Sequence, residues 1–242
     1  MNKIFYYELK RMLLGKVFPG MLLVNALYAW FILSSETIQG VSCTAPFSAW
    51  SYCSYLGRTL PLAMITVLLL LANFYSRQQR RVEVLTDATP IPVFRQIEIR
   101  TLAAGVCFLV IYLVVIALAL FFYACFFRFY DFAAFVLPSA VILLPCFVFF
   151  AGVGQLLGSL HQSLIYGLML LAFALNGIPN VFDVSGAGYF SEYPLTLPVG
   201  ADMEPAFTLS AGFLAVRLLY LALGTAGVYL AAVLSARKSQ NA

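Results

Sequence analysis

Six stretches of this chain are apolar over about the length a helix needs to cross a bilayer, and this limits the possible folds more than any other feature. A hydrocarbon core of about 30 Å takes about 20 residues at 1.5 Å each. The stretches fall at Val17–Ser35, Thr59–Tyr75, Thr101–Phe127, Ala133–Leu157, Ser163–Pro179 and Ala211–Ser235. In lipid, each backbone N–H and C=O must find its partner within the protein, so isolated apolar segments of this kind become helices. Composition agrees: 10% of the residues are charged, against about 25% in soluble domains. The expected fold is an all-α polytopic membrane protein, one transmembrane domain over residues 1–242. Pro138 and Pro145 interrupt the fourth stretch, and membrane helices tolerate this when neighbours satisfy the freed carbonyls.

The first span is expected to be retained. Lys3, Lys10, Arg11 and Lys16 precede an apolar run from Val17 to Leu33. That run exceeds the 7–15 residues of a signal h-region, and no small-residue cleavage site precedes Ser34-Ser35-Glu36.

Positive charge sets the orientation. Of the 14 Lys and Arg residues, only Arg58, Arg128 and Arg217 fall opposite the N-terminus, the Arg77–Arg100 segment and the tail. Loops rich in Lys and Arg stay cytoplasmic, so both termini are expected inside, as an even number of spans requires. The segment 178–210 is then extracellular. It has no Lys or Arg but contains Phe182, Tyr189, Phe190 and Tyr193. Short helices or loops resting on the outer surface are expected there, because amphipathic aromatic rings favour the membrane interface. At the other end, Phe5, Leu9, Met12 and Leu13 share one side of a helical wheel over residues 1–16. This fits an interfacial helix offering Lys3, Lys10 and Arg11 to anionic lipid, and equally a positive flank that only fixes topology.

Little in the chain points to chemistry. His161 is the one histidine, expected as a local hydrogen-bonding residue at a helix end. Without a GxxxxGK[ST] motif there is no loop to cradle phosphates. The five cysteines lack metal-ligand spacing, so no metal site and no bound cofactor are expected. Nor does any basic segment point to nucleic acid. Cys107, Cys125 and Cys146 read as packing residues. Cys43 and Cys53 fall in the first external loop and are candidates for a disulfide, which spacing alone leaves open. Asn25, Asn73, Gln155 and Asn176 are candidates for interhelical hydrogen bonds or for a substrate route. Gly154-Gln155-Leu156-Leu157-Gly158 is a GxxxG whose close contact lies within or between subunits. Arg58 and Arg217 are expected to snorkel to the outer surface.

The stretch from Arg77 to Arg100 holds five of the basic residues, three acids and two prolines. It is far longer than the 2–8 residues that usually join two helices. Its Glu83, Pro90 and Arg100 follow in the order acid, proline, basic residue as the third span begins, and Phe5-Tyr6-Tyr7-Glu8-Leu9-Lys10-Arg11 carries an E-x-K-R-like pattern. In these features the chain resembles the membrane subunits of ABC exporters of the type-2 permease class. Pro92-Val93-Phe94 stands where that family often has a small polar residue followed by a basic one, with Arg95 as the substitute.

The resemblance implies six spans, both ends inside, an N-terminal interfacial helix with Glu8, Lys10 and Arg11, and a dimer with a second permease copy or paralogue. It also implies a cytoplasmic ABC ATPase partner, contacted through Glu83, Pro90, Arg95 and Arg100, which would hold the ATP and magnesium. The expected function is a non-enzymatic permease subunit in a bacterial cell membrane. It would export a peptide-, lipid- or drug-like substrate through residues that the sequence does not identify. The alternative is a non-transporting scaffold or immunity protein acting through its outer loop.

Overall fold

The structure is a computed structural model that describes residues 2–42, 44–75, 93–176, 183–198 and 205–240. Among these residues all regular secondary structure is helical, without strands. The helices are α1 (Asn2–Leu14), α2 (Val17–Ser35), α3 (Ala49–Phe74), α4 (Val93–Phe122), α5 (Val136–Leu160), α6 (Gln162–Asn176), α7 (Ala187–Glu192) and α8 (Ala211–Gln240). Five of them, α2, α3, α4, α5 and α8, are long and apolar enough to cross a membrane. The chain is a multi-pass membrane protein. α6 has 15 residues, about 22 Å at 1.5 Å per residue, and Pro179 lies outside the described residues.

α3 forms the axis of the bundle. In its most apolar window 72% of residues are buried, against 22% in α8, and it packs on α2, α4, α5, α6 and α7. It also begins well before the expected Thr59. Ser48 caps it by accepting the Ser51 N–H at 3.1 Å, a standard way to satisfy a free N-terminal donor. The extra turns carry Trp50, Tyr52 and Tyr55, all buried, and each polar tip has a partner. Trp50 Nε1 donates to Pro205 O at 3.0 Å, Tyr52 pairs with Ser139 Oγ at 2.8 Å, and Tyr55 donates to Val115 O at 2.9 Å. Cys53 therefore lies on a buried helix and not in a loop; its thiol is free, and Cys43 lies outside the described residues.

The closest helix pair is α5 with α8. A Cβ on Gly152 would overlap the Gly224 carbonyl, one on Gly224 would overlap Val148 O, and one on Gly227 would come within 2.8 Å of the Gly152 carbonyl carbon. Glycine at these positions lets two backbones touch. The GxxxG pair does something else. Gly154 faces Leu68 and Gly158 faces the Tyr75 ring, so this motif packs on α3 within the same chain. Pro138 sits in the first turn of α5, where its missing N–H costs nothing, and Pro145 lies inside a continuous helix.

The expected short helix is present as α7, but its aromatic residues pack into the bundle. Phe190 is fully buried, Tyr189 stacks on Phe213 at 4.3 Å, and Trp50 meets Phe207 at 4.8 Å. Gly57 makes room for α7, since a Cβ there would come within 2.8 Å of the Ala187 backbone nitrogen. Phe182 lies outside the described residues.

Candidate functional site

Within the basic stretch the described residues stop at Tyr75 and resume at Val93, so the residues flanking those two points bear on how the stretch connects to the helices. Glu83 and Pro90 lie outside the described residues. Arg95 is exposed on the first turn of α4, while Arg100 is buried. Phe94 and Ile97 pack on the far end of α8, with Phe94 edge-on to Tyr229 at 6.2 Å.

Gln155 of α5 links Tyr75 to α4 at Thr101, two turns beyond Val93. It is fully buried. Its Oε1 accepts the Tyr75 hydroxyl at 2.7 Å, and its Nε2 donates to Thr101 Oγ1 at 2.8 Å. Tyr75 also reaches the Gln155 backbone carbonyl at 3.3 Å, and Thr101 donates back to Ile97 O at 2.8 Å. One side chain thus bridges the end of α3 and the third turn of α4. Of the two readings open for Gln155, the observed one is an interhelical bond. Asn25 is a second case, donating to Thr66 Oγ1 at 2.9 Å between α2 and α3. Asn73 is exposed, and the side chain of Asn176 lies outside the described residues.

Beside this bridge, Phe74 collects charge. The Arg11 guanidinium lies 4.8 Å from its ring centroid and that of Arg100 lies 5.2 Å away. A cation over an aromatic face gains about 0.5–2 kcal/mol depending on burial. Glu8 pairs with Arg11 at 2.9 Å, one turn apart on α1. The expected apolar stripe of α1 exists, yet it faces protein: Met12 is buried, and Phe5, Leu9 and Leu13 pack on the core. The Gly15-Lys16 turn folds α1 back against α4 and α2, leaving Tyr6, Tyr7 and Lys10 exposed. The sequence pattern finds the amphipathic helix and cannot tell a lipid surface from a protein surface.

α6 closes the same end. Gln162 Nε2 donates to Ala72 O at 3.2 Å, a carbonyl in the last turn of α3 that also accepts the Tyr75 N–H at 3.1 Å. His161 accepts the Ser163 N–H on Nδ1 at 3.2 Å, the local role expected for it. α1, α3, α4, α5 and α6 are therefore tied together within a few residues of the segment's two ends. Among the described residues no three His, Cys, Asp or Glu side chains converge to hold a metal ion. No family model matches this chain, no curated protein matches it, and no solved structure does.

Proposed function

We propose that this chain is the permease subunit of an ATP-driven exporter in a cell membrane. It crosses the bilayer six times, with α6 as the shortest span, and both termini lie in the cytoplasm. The basic segment between Tyr75 and Val93, continuing to Arg100, is where a separate ABC ATPase pushes on it. The observation that best supports this reading is the Gln155 bridge, because a push on the segment would be shared at once between α3, α4 and α5. Arg100 and Arg11 over the Phe74 ring add α1 to the same unit. ATP and magnesium belong to the partner, and the permease works beside a second copy or a paralogue.

Purification in mild detergent from cells expressing the chain natively should bring down an ATPase. Glu83→Lys and Arg95→Glu should each cut ATP-driven transport by about tenfold or more while leaving membrane insertion unchanged. Arg95 is exposed, so its reversal should cost the fold little. Unchanged transport in both variants would refute the coupling role. Full function beside a catalytically dead ATPase would replace the reading with that of a non-transporting scaffold.

A further inference from the structure

Between α5, α6 and α8 lies a cavity of about 910 Å³ that runs from Val153 away from the Gln155 bridge toward Asp183 and Val184. Its walls are apolar, with Val153 from α5, Leu171 and Ala172 from α6, and Leu219 and Leu223 from α8. Leu171, Leu219 and Leu223 are 51%, 54% and 47% exposed, so the cavity opens sideways between α6 and α8, onto the face that meets lipid. It follows α8 from Phe213 to Leu223, about 15 Å at 1.5 Å per residue. The volume lies at the upper end of the range for small-molecule sites.

One end of this greasy chamber is charged. Arg217 lines it and is only 3% exposed. It does not reach out to the surface, as its position near the start of α8 led us to expect, but is held beneath the loop at Val184. Nη1 donates to Val184 O at 2.6 Å and to Cys146 Sγ at 3.0 Å. The guanidinium also lies 4.5 Å from the Phe213 ring centroid and 5.6 Å from that of Tyr220. Nε and Nη2 have no hydrogen-bond partner among the described residues. Both nitrogens are buried, with Nη2 against Gly186, so this fork binds a carboxylate or phosphate through two parallel bonds once the charged end of the chamber opens onto it.

Asp183, the carboxylate that lines the chamber among the described residues, is already engaged. It accepts Ser185 Oγ–H at 3.1 Å and the Gly186 and Tyr189 N–H groups at 2.8 and 2.7 Å. It makes no ion pair with Arg217 within 4.0 Å. A buried, unpaired cation is costly to keep, and a counter-charge supplied by a ligand removes that cost.

We infer that this chamber is a binding site for an anionic membrane lipid, whose acyl chain lies along α8 while its phosphate pairs with Arg217. The sideways opening selects a lipid over a water-soluble anion, because the tail enters from the bilayer without crossing water. α8 has 30 residues, about 45 Å against a hydrocarbon core of about 30 Å. Its ends therefore extend into the headgroup layers, and Arg217, about 9 Å along the helix, lies within reach of a lipid phosphate. The site stands whether or not the chain couples to an ATPase.

Native mass spectrometry of the 242-residue chain tests it, with phosphatidylglycerol and phosphatidylcholine of identical acyl chains added to the detergent. Wild type should retain phosphatidylglycerol at least about tenfold better. Arg217→Gln should bring the ratio close to one, and Arg217→Lys should keep part of it. Leu223→Trp fills the chamber from a half-exposed position, so it should fold and still lose the lipid, and it decides the matter even if Arg217→Gln fails to fold. Equal retention of the two lipids by wild type would overturn the inference. So would an unchanged preference in Arg217→Gln, retention by Leu223→Trp at the wild-type level, or displacement of the lipid by glycerol 3-phosphate at equal concentration.

Discussion

Replacing Gln155 with leucine removes the bridge with little change of volume, and the structure sets what that should cost. Two side-chain hydrogen bonds disappear, to Tyr75 at 2.7 Å and to Thr101 at 2.8 Å. Both partners keep an alternative: Tyr75 retains the backbone carbonyl of residue 155, and Thr101 retains Ile97 O. No buried donor is orphaned, so the larger penalty for unsatisfied groups does not apply. Interhelical side-chain bonds in membranes average about 0.6 kcal/mol each, with a maximum near 1.7. Gln155→Leu should therefore lose about 1–2 kcal/mol, measured by reversible unfolding in mixed micelles. Thr101→Val leaves the buried Gln155 Nε2–H without this acceptor and should lose about 1–3 kcal/mol, while adding it to Gln155→Leu should cost little further, since that donor has gone. This double-mutant cycle isolates the pair. Additive losses, within about 0.3 kcal/mol, would show that the two groups do not interact in the membrane and would remove the bridge.

The glycines sort themselves by what lies opposite. Gly152→Ala places a Cβ onto the Gly224 carbonyl, and such overpacking typically costs about 1–3 kcal/mol. Gly20→Ala and Gly167→Ala meet nothing within 4 Å and should be neutral or slightly stabilising; thermal melts followed by size-exclusion chromatography separate the two classes. Cys53, Cys107 and Cys146 are fully buried while Cys125 is exposed. N-ethylmaleimide should therefore modify Cys125 in the folded chain and the other three only after denaturation. A Cys53 that stays unmodified in denaturant until reductant is added would show a disulfide to Cys43.

Much of the architecture was legible because lipid leaves so few options. Apolar length located α2, α4, α5 and α8. The early start of α3 was not legible. Ser51 and Ser54 are polar and Tyr52 and Tyr55 carry hydroxyls, so the run is not apolar enough to extend a span, and the tertiary partners of Trp50, Tyr52 and Tyr55 are what make their burial favourable. Gly152 and Gly224 lie far apart in sequence and look like ordinary membrane glycines, whereas the GxxxG spacing drew attention to a weaker contact. Arg217 stands where snorkelling would be easy, and nothing local reveals that the loop at Val184 holds it inside.

Gln155 was visible as a polar residue in a span, but not as a bridge, because its partners sit on either side of the most polar stretch in the chain. That placement bears on how the stretch could work. A long loop hung between two independent helices would absorb a push by bending, since loop closure entropy changes slowly with length. Here Tyr75 and Thr101, on either side of the stretch Arg77–Arg100, are joined through a single buried amide, and the neighbouring Phe74 carries a guanidinium from α1 and another from α4. If a partner pushes on the segment, the link from Tyr75 to Thr101 should make α3 and α4 move together, with α5 following through Gln155. The same geometry separates stability from coupling. Gln155→Leu leaves the apolar packing of α3 on α5 intact, so at a loss of about 1–2 kcal/mol the chain should still fold and insert. If the segment drives the spans, transport should fall far more than that stability loss explains. Transport falling only in proportion to the amount of folded chain would mean that the bridge is packing alone.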